Sequence, residues 1–198
     1  MKILKIPEVR LTSRTLDDAL DAVFGIDTLS RVHGPTLDTS SMTGSSTAGS
    51  STAAGSFSED GRRKFSFVVE TSGIPGAIKK FVCGDDVKVT TMQTLSKKVP
   101  TKWSVTNVLK TKFLGSELFQ VRPVFWLQQD RHGSVTLGGT IRHDAILPPP
   151  LNDIAETFMM QLSEREVRRF ETVLESEGYL PSHNPWHVAA NAIRKRIT

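Results

Sequence analysis

From Lys102 to Ala145 three runs repeat with a period of two, each with one largely apolar side, and the breaks between them are too short to hold a crossover helix. Trp103, Val105, Asn107 and Leu109 point one way, while Lys102, Ser104, Thr106, Lys110 and Lys112 point the other. Gly115 and Ser116 supply a turn, after which Phe119, Val121, Pro123, Phe125 and Leu127 share a face opposite Gln120, Arg122, Trp126 and Gln128. Asp130 to Gly133 forms the next turn, and Val135, Leu137, Ile141, His143 and Ala145 make the last inward face. Consecutive strands joined this tightly form an antiparallel meander with one wet side. Two earlier runs extend it: Phe65, Phe67 and Val69, then Val87, Val89 and Leu95. The count is five strands.

Pro148 to Pro150 stop the sheet, because proline has no amide hydrogen for ladder pairing. A helix follows, with Asn152 placed to cap it and Leu151, Ile154, Ala155, Phe158 and Leu162 at helical spacing. Ser163 and Glu166 form a capping-box pattern, so one kinked helix or two would carry Val167, Phe170, Val173 and Leu174 to Gly178. Pro75 favours a small helix over residues 74–81. Near the start, Thr15 reads as an N-cap, Asp17 and Asp18 suit the positive end of a helix dipole, and Leu16, Leu20, Val23 and Phe24 share a face up to Gly25. The fold class is α+β: a curved antiparallel sheet of about five to seven strands gripped by a long C-terminal helix. Residues 1–35 read as an N-terminal extension with a short helix, 36–62 as a Ser/Thr/Gly-rich flexible linker, 63–180 as the α+β domain and 181–198 as a basic tail.

Cys83 is the single cysteine, which excludes an internal disulfide and a cysteine-rich zinc site and suits the reducing cytoplasm. No stretch reaches the roughly 18 apolar residues that would span a bilayer. A net charge of +4 implies only a mild attraction to anionic surfaces.

Residues that carry chemistry are scarce. His183 and His187 have the i, i+4 spacing of a metal pair, but Pro185 lies between them and no further ligand is near, so no metal is expected. The Gly/Ser-rich stretch over 44–55 has no lysine after it and no flanking strand and helix, so it is no phosphate loop. Glu164, Glu166, Glu171 and Glu175 alternate with Arg165, Arg168 and Arg169 as a solvated helix face, leaving no carboxylate pair for acid–base work. The expectation is a protein that is not an enzyme and uses no cofactor. Asn107 and His143 stand out as polar groups on apolar inward faces. Each must meet backbone, water, another core group or a ligand.

The order strand, short helix, antiparallel meander and long terminal helix, with aromatic inward faces from Lys64 to Tyr179, resembles the helix-grip architecture of the START-like superfamily. The stretch AILPPPLNDIAETFM from Ala145 resembles the entry to the terminal helix of such domains. The resemblance implies a cavity for a lipid or other apolar small molecule. Trp103, Val105, Asn107, Phe119, Val121, Phe125, Leu127, Ile141 and His143 would line it, with Phe158 and Leu162 as its lid. The chain departs from the family in having five legible strands, so that the sheet borrows Lys2 to Leu11 or the cavity is small, and in showing no second helix before the meander.

The same residues would equally fill a solid core, which makes the second reading a protein-interaction module using exposed Trp126 and Met92. Nucleic-acid binding ranks last, since Glu117 and Asp144 dilute Lys102, Lys110, Lys112 and Arg122. In the tail, Trp186 with Arg194, Lys195 and Arg196 fits a weak membrane-surface contact.

Overall fold

The computed structural model describes residues 2–13, 15–40, 42, 57–58, 60–70, 86–113, 116–145, 147 and 150–180. Its elements are β1 (Lys2–Arg10), α1 (Leu16–Phe24), α2 (Ile26–His33), a 3-10 turn (Gly34–Thr36), β2 (Arg62–Glu70), β3 (Asp86–Val99), β4 (Lys102–Phe113), β5 (Ser116–Gln129), β6 (Val135–Ala145) and α3 (Leu151–Ser176). The helix expected over 74–81, the tail and the His183/His187 pair lie outside the described residues.

The α+β reading holds. One curved, unclosed antiparallel sheet has the order β1-β6-β5-β4-β3-β2, so the meander runs through five adjacent strands and β1 returns to the far edge beside β6. The sixth strand is the borrowed segment, Lys2 opposite His143 and Leu4 opposite Ile141. Residues 1–35, set apart from sequence as an extension, thus contain an edge strand and two helices. The six-stranded sheet with its terminal helix is compatible with a helix-grip arrangement.

Local chemistry explains the element ends. Thr15 caps α1, its side chain accepting from the Asp18 amide at 3.1 Å, a contact worth about 1 kcal/mol. Gly25 ends α1 and starts α2; a Cβ there would lie 2.3 Å from the Asp21 carbonyl oxygen, so only glycine lets the chain turn this closely. In the β5–β6 turn, Asp130 accepts from the His132 and Ser134 amides, both at 2.8 Å, and Gly133 takes φ +80°. Of the two alternatives for α3 the single helix is found, 26 residues long; the cap is corrected, since Pro150 holds the N-cap position and Asn152 already lies inside the first turn. Ser163 bonds to His143 on the sheet, so tertiary packing overrides the capping-box signal.

The helices cover the inner face. Packing there divides into two apolar clusters. The larger joins β1, α1, Trp103, Val105, Leu127, Leu137 and Ile141 to Leu174 and Leu180. The smaller, at the β2–β3 edge, holds Leu29, Phe65, Phe67 and Val89. Phe24, Phe125 and Phe170 meet where α1, the sheet and α3 converge, with ring centroids 5.7 to 6.5 Å apart.

Candidate functional site

Between the two clusters the inner face carries polar side chains. Antiparallel partners point to the same side, so register places Arg63, Gln93 and Asn107 side by side on β2, β3 and β4. Thr91 lies two residues along β3 from Gln93. All four are buried, with at most 4% of their surface exposed.

Arg63 is an organising group. Its Nε donates to Gln93 Oε1 at 2.6 Å and its Nη2 to the Phe24 carbonyl at 2.8 Å, while its guanidinium stacks 4.3 Å from the Phe57 ring. Phe24 is the last residue of α1, whose final turn has no basic residue of its own. A cation from β2 therefore answers the orphan carbonyls and negative dipole end of that helix. Burial lowers its pKa to about 9, which leaves it charged at neutral pH. Thr28 assists, donating to the Ala22 carbonyl at 2.7 Å.

Asn107 and Thr91 differ from Arg63. Among the described residues, neither Asn107 Oδ1 nor Thr91 Oγ1 has a hydrogen-bond partner, although both are fully enclosed. A buried polar atom without a partner costs about 1–3 kcal/mol. The β4–β5 register, with Thr106 opposite Val124 and Leu109 opposite Val121, brings Asn107 level with Pro123, which has no amide hydrogen.

His143 is completely buried, and its Nε2 lies 2.9 Å from Ser163 Oγ on α3. Burial lowers its pKa, opposed by the Lys2 backbone and the negative charges of Glu156 and Asp144, so the ring is neutral near pH 7. A hydroxyl beside a neutral imidazole has the outline of a nucleophile and its base. Ser163, however, sits in the middle of α3, where the surrounding amides are already used by the helix, so they cannot form an oxyanion hole. The pair instead ties α3 to β6.

A second titratable pair fixes α2 to α3. His33 stacks on Phe67 at 3.8 Å, and its Nδ1 is 3.7 Å from Glu166. Burial, aided by the positive Arg169, pushes His33 down to about 4, and burial raises Glu166 against the pull of Arg169.

Of the lining residues read from sequence, Trp103, Val105, Leu127 and Ile141 are buried in the larger cluster, with Val121 and Phe125 packed against it. Phe119 takes its place in β5 opposite Ala145 by backbone register. Phe158 and Leu162 on α3 are half-buried, and Ala155, Glu156 and Met159 are the residues of that helix half that are buried. Arg63, Thr91 and Gln93 were missed. The signal was strand parity: Arg63 continues the inward series of Phe65 and Phe67, and Thr91 and Gln93 fall between inward Val89 and Leu95. No helix among the described residues is long and apolar enough to cross a membrane. Compared with protein families and with curated proteins, the chain matches no family model and no curated protein.

Proposed function

We propose that this protein binds a lipid or other apolar small molecule between the inner sheet face and α3, and that the polar end of that molecule meets Asn107 and Thr91. The observation that carries the reading is the pair of enclosed polar atoms without partners, Asn107 Oδ1 and Thr91 Oγ1, set beside apolar clusters on a sheet under helices. A ligand hydroxyl both donates and accepts, so one group satisfies the amide and the threonine together, and the apolar remainder is drawn in by leaving water. An ionised carboxylate only accepts and leaves Oδ1 unanswered. The helix-grip arrangement supports the START-like resemblance, in which such an interior is the binding place.

The role is binding, with transfer as its extension, and not catalysis: the His143–Ser163 pair lacks oxyanion donors around Ser163. A cytoplasmic setting accords with a single cysteine.

A second reading is favoured by Trp103, Val105, Leu127 and Ile141, which interlock with Leu174 in one cluster. That packing suits a solid core serving a protein-interaction module. Native mass spectrometry of the chain purified from cells separates the two. A co-purified apolar molecule that is lost in Asn107→Leu supports binding, and a bare chain in repeated preparations supports the module.

A further inference from the structure

The outer face of the sheet has a chemistry of its own. Across the whole sheet, one register row reads Ile3, Arg142, Arg122, residue 108, Met92 and Lys64. Arg122 lies directly opposite Arg142, a like-charge pairing that sheets ordinarily avoid. Arg122 donates to Gln120. Lys5 and Lys102 add exposed cations to the same face, while Lys88 and Arg62 near the β2 edge are answered by Asp38 and Asp60. Among the described side chains its other acids are Asp144 and, at the irregularity in β1, Glu8.

The opposite side of the molecule has the reverse sign. The three helices carry ten acidic residues, of which Glu156 and Glu171 are buried, against four arginines. The modest net charge of +4 therefore hides a separation of charge across the two layers, which orients the molecule in an anionic field.

Two classes of anionic partner fit a basic sheet. Nucleic acid would need exposed aromatic faces for base stacking. Trp126, the aromatic of this face, is half-buried with its indole laid over Gly138, where a Cβ would meet ring atoms 2.6 to 2.8 Å away. What the row does expose is apolar: Ile3 at 46% and Met92 at 45%, set among the arginines and Lys64. Cations interleaved with projecting apolar side chains match phospholipid headgroups with the acyl boundary just beneath.

We infer that the outer sheet face, centred on Arg122, Arg142 and Met92, docks on anionic phospholipid membrane. The surface is independent of any ligand held in the interior.

The test is flotation of the full chain with phosphatidylcholine vesicles, with and without phosphatidylserine. Binding is expected only with phosphatidylserine and weakens as salt rises. Arg122→Gln with Arg142→Gln lowers partitioning by more than about tenfold, at about fivefold per basic residue. Removing the same charge elsewhere, with Arg131→Gln and Arg168→Gln, leaves most of it. Met92→Ser lowers binding severalfold at constant charge, and because this side chain is exposed it carries the test alone if the arginine variant does not fold. Equal binding to neutral vesicles, or equal loss from both charge pairs, overturns the inference. So does loss on replacing Arg194, Lys195 and Arg196 by Gln while the face variant still binds. Tighter binding to single-stranded DNA than to vesicles, through the same arginines, assigns the face to nucleic acid and overturns it as well.

Discussion

The two halves of the inner sheet face are built on different terms. Toward β1 and β6, Leu137, Val135 and Leu174 are wholly enclosed among other apolar groups, and the one buried polar side chain of β6, His143, is tied to Ser163 through Nε2 while its Nδ1 has no partner among the described residues. Toward β2 and β4, Arg63, Gln93, Thr91 and Asn107 are enclosed just as tightly but are polar, and two of them present atoms without partners. The apolar half holds the fold together. In the polar half, stability is given up at Asn107 and Thr91, where the proposed ligand would supply the missing partners.

That contrast predicts opposite responses to substitution. The largest effect is expected in the apolar half: Leu174→Ala should cost about 2–5 kcal/mol in chemical denaturation, because α3 loses its fully buried anchor and leaves a cavity. Next comes Arg63→Met, expected to cost about 2 kcal/mol by stranding Gln93 Oε1 and the Phe24 carbonyl. A cost as small as that of an exposed arginine would show that Arg63 is not the tie between β2 and α1.

The α2–α3 junction gives a pH-dependent effect of similar or smaller size. His33 has its ordinary value of 6.5 when unfolded and about 4 when folded. Between those values the unfolded chain binds the proton more readily, so the contribution is complete above about pH 6.5 and is lost as pH falls toward 4. The loss is on the order of 3 kcal/mol before Glu166 offsets part of it, because its raised carboxyl has the opposite sign. His143 contributes in the same direction as His33. Stability curves of His33→Gln measured across this range should be flatter than those of the unaltered chain, and an unchanged slope would remove His33 from the account.

The smallest stability effect separates the halves most sharply. Asn107→Leu replaces an amide whose buried oxygen has no partner by an apolar group of similar size, so stability should stay within about 1 kcal/mol or rise. A loss comparable to Leu174→Ala would mean that Asn107 is a satisfied part of the core.

The apolar half was legible because Trp103 and Val105, Phe125 and Leu127, and Leu137 and Ile141 repeat at the strand period, and their turns leave no room for another topology. β1 was less so: Pro7 interrupts its alternation, and its partner β6 lies at the far end of the fold, which local pattern cannot reveal. α2 was missed because Thr28, Leu29 and Val32 make a thin buried stripe in a short polar segment. The polar half stayed hidden for a different reason. Periodicity identifies inward positions by apolar residues, so Arg63, Thr91 and Gln93 passed for surface chemistry until their neighbours enclosed them. Asn107 was visible because its flanks, Val105 and Leu109, are both apolar.

Calorimetric titration of the unaltered chain and of Asn107→Leu with a long-chain alcohol tests the account at its centre. Saturable binding with a negative heat-capacity change, weakened about tenfold in the variant while its stability is retained, is the predicted result. Absence of binding to the unaltered chain, or equal affinity in both, would contradict the claim that the unpartnered polar atoms of β3 and β4 exist to hold a ligand.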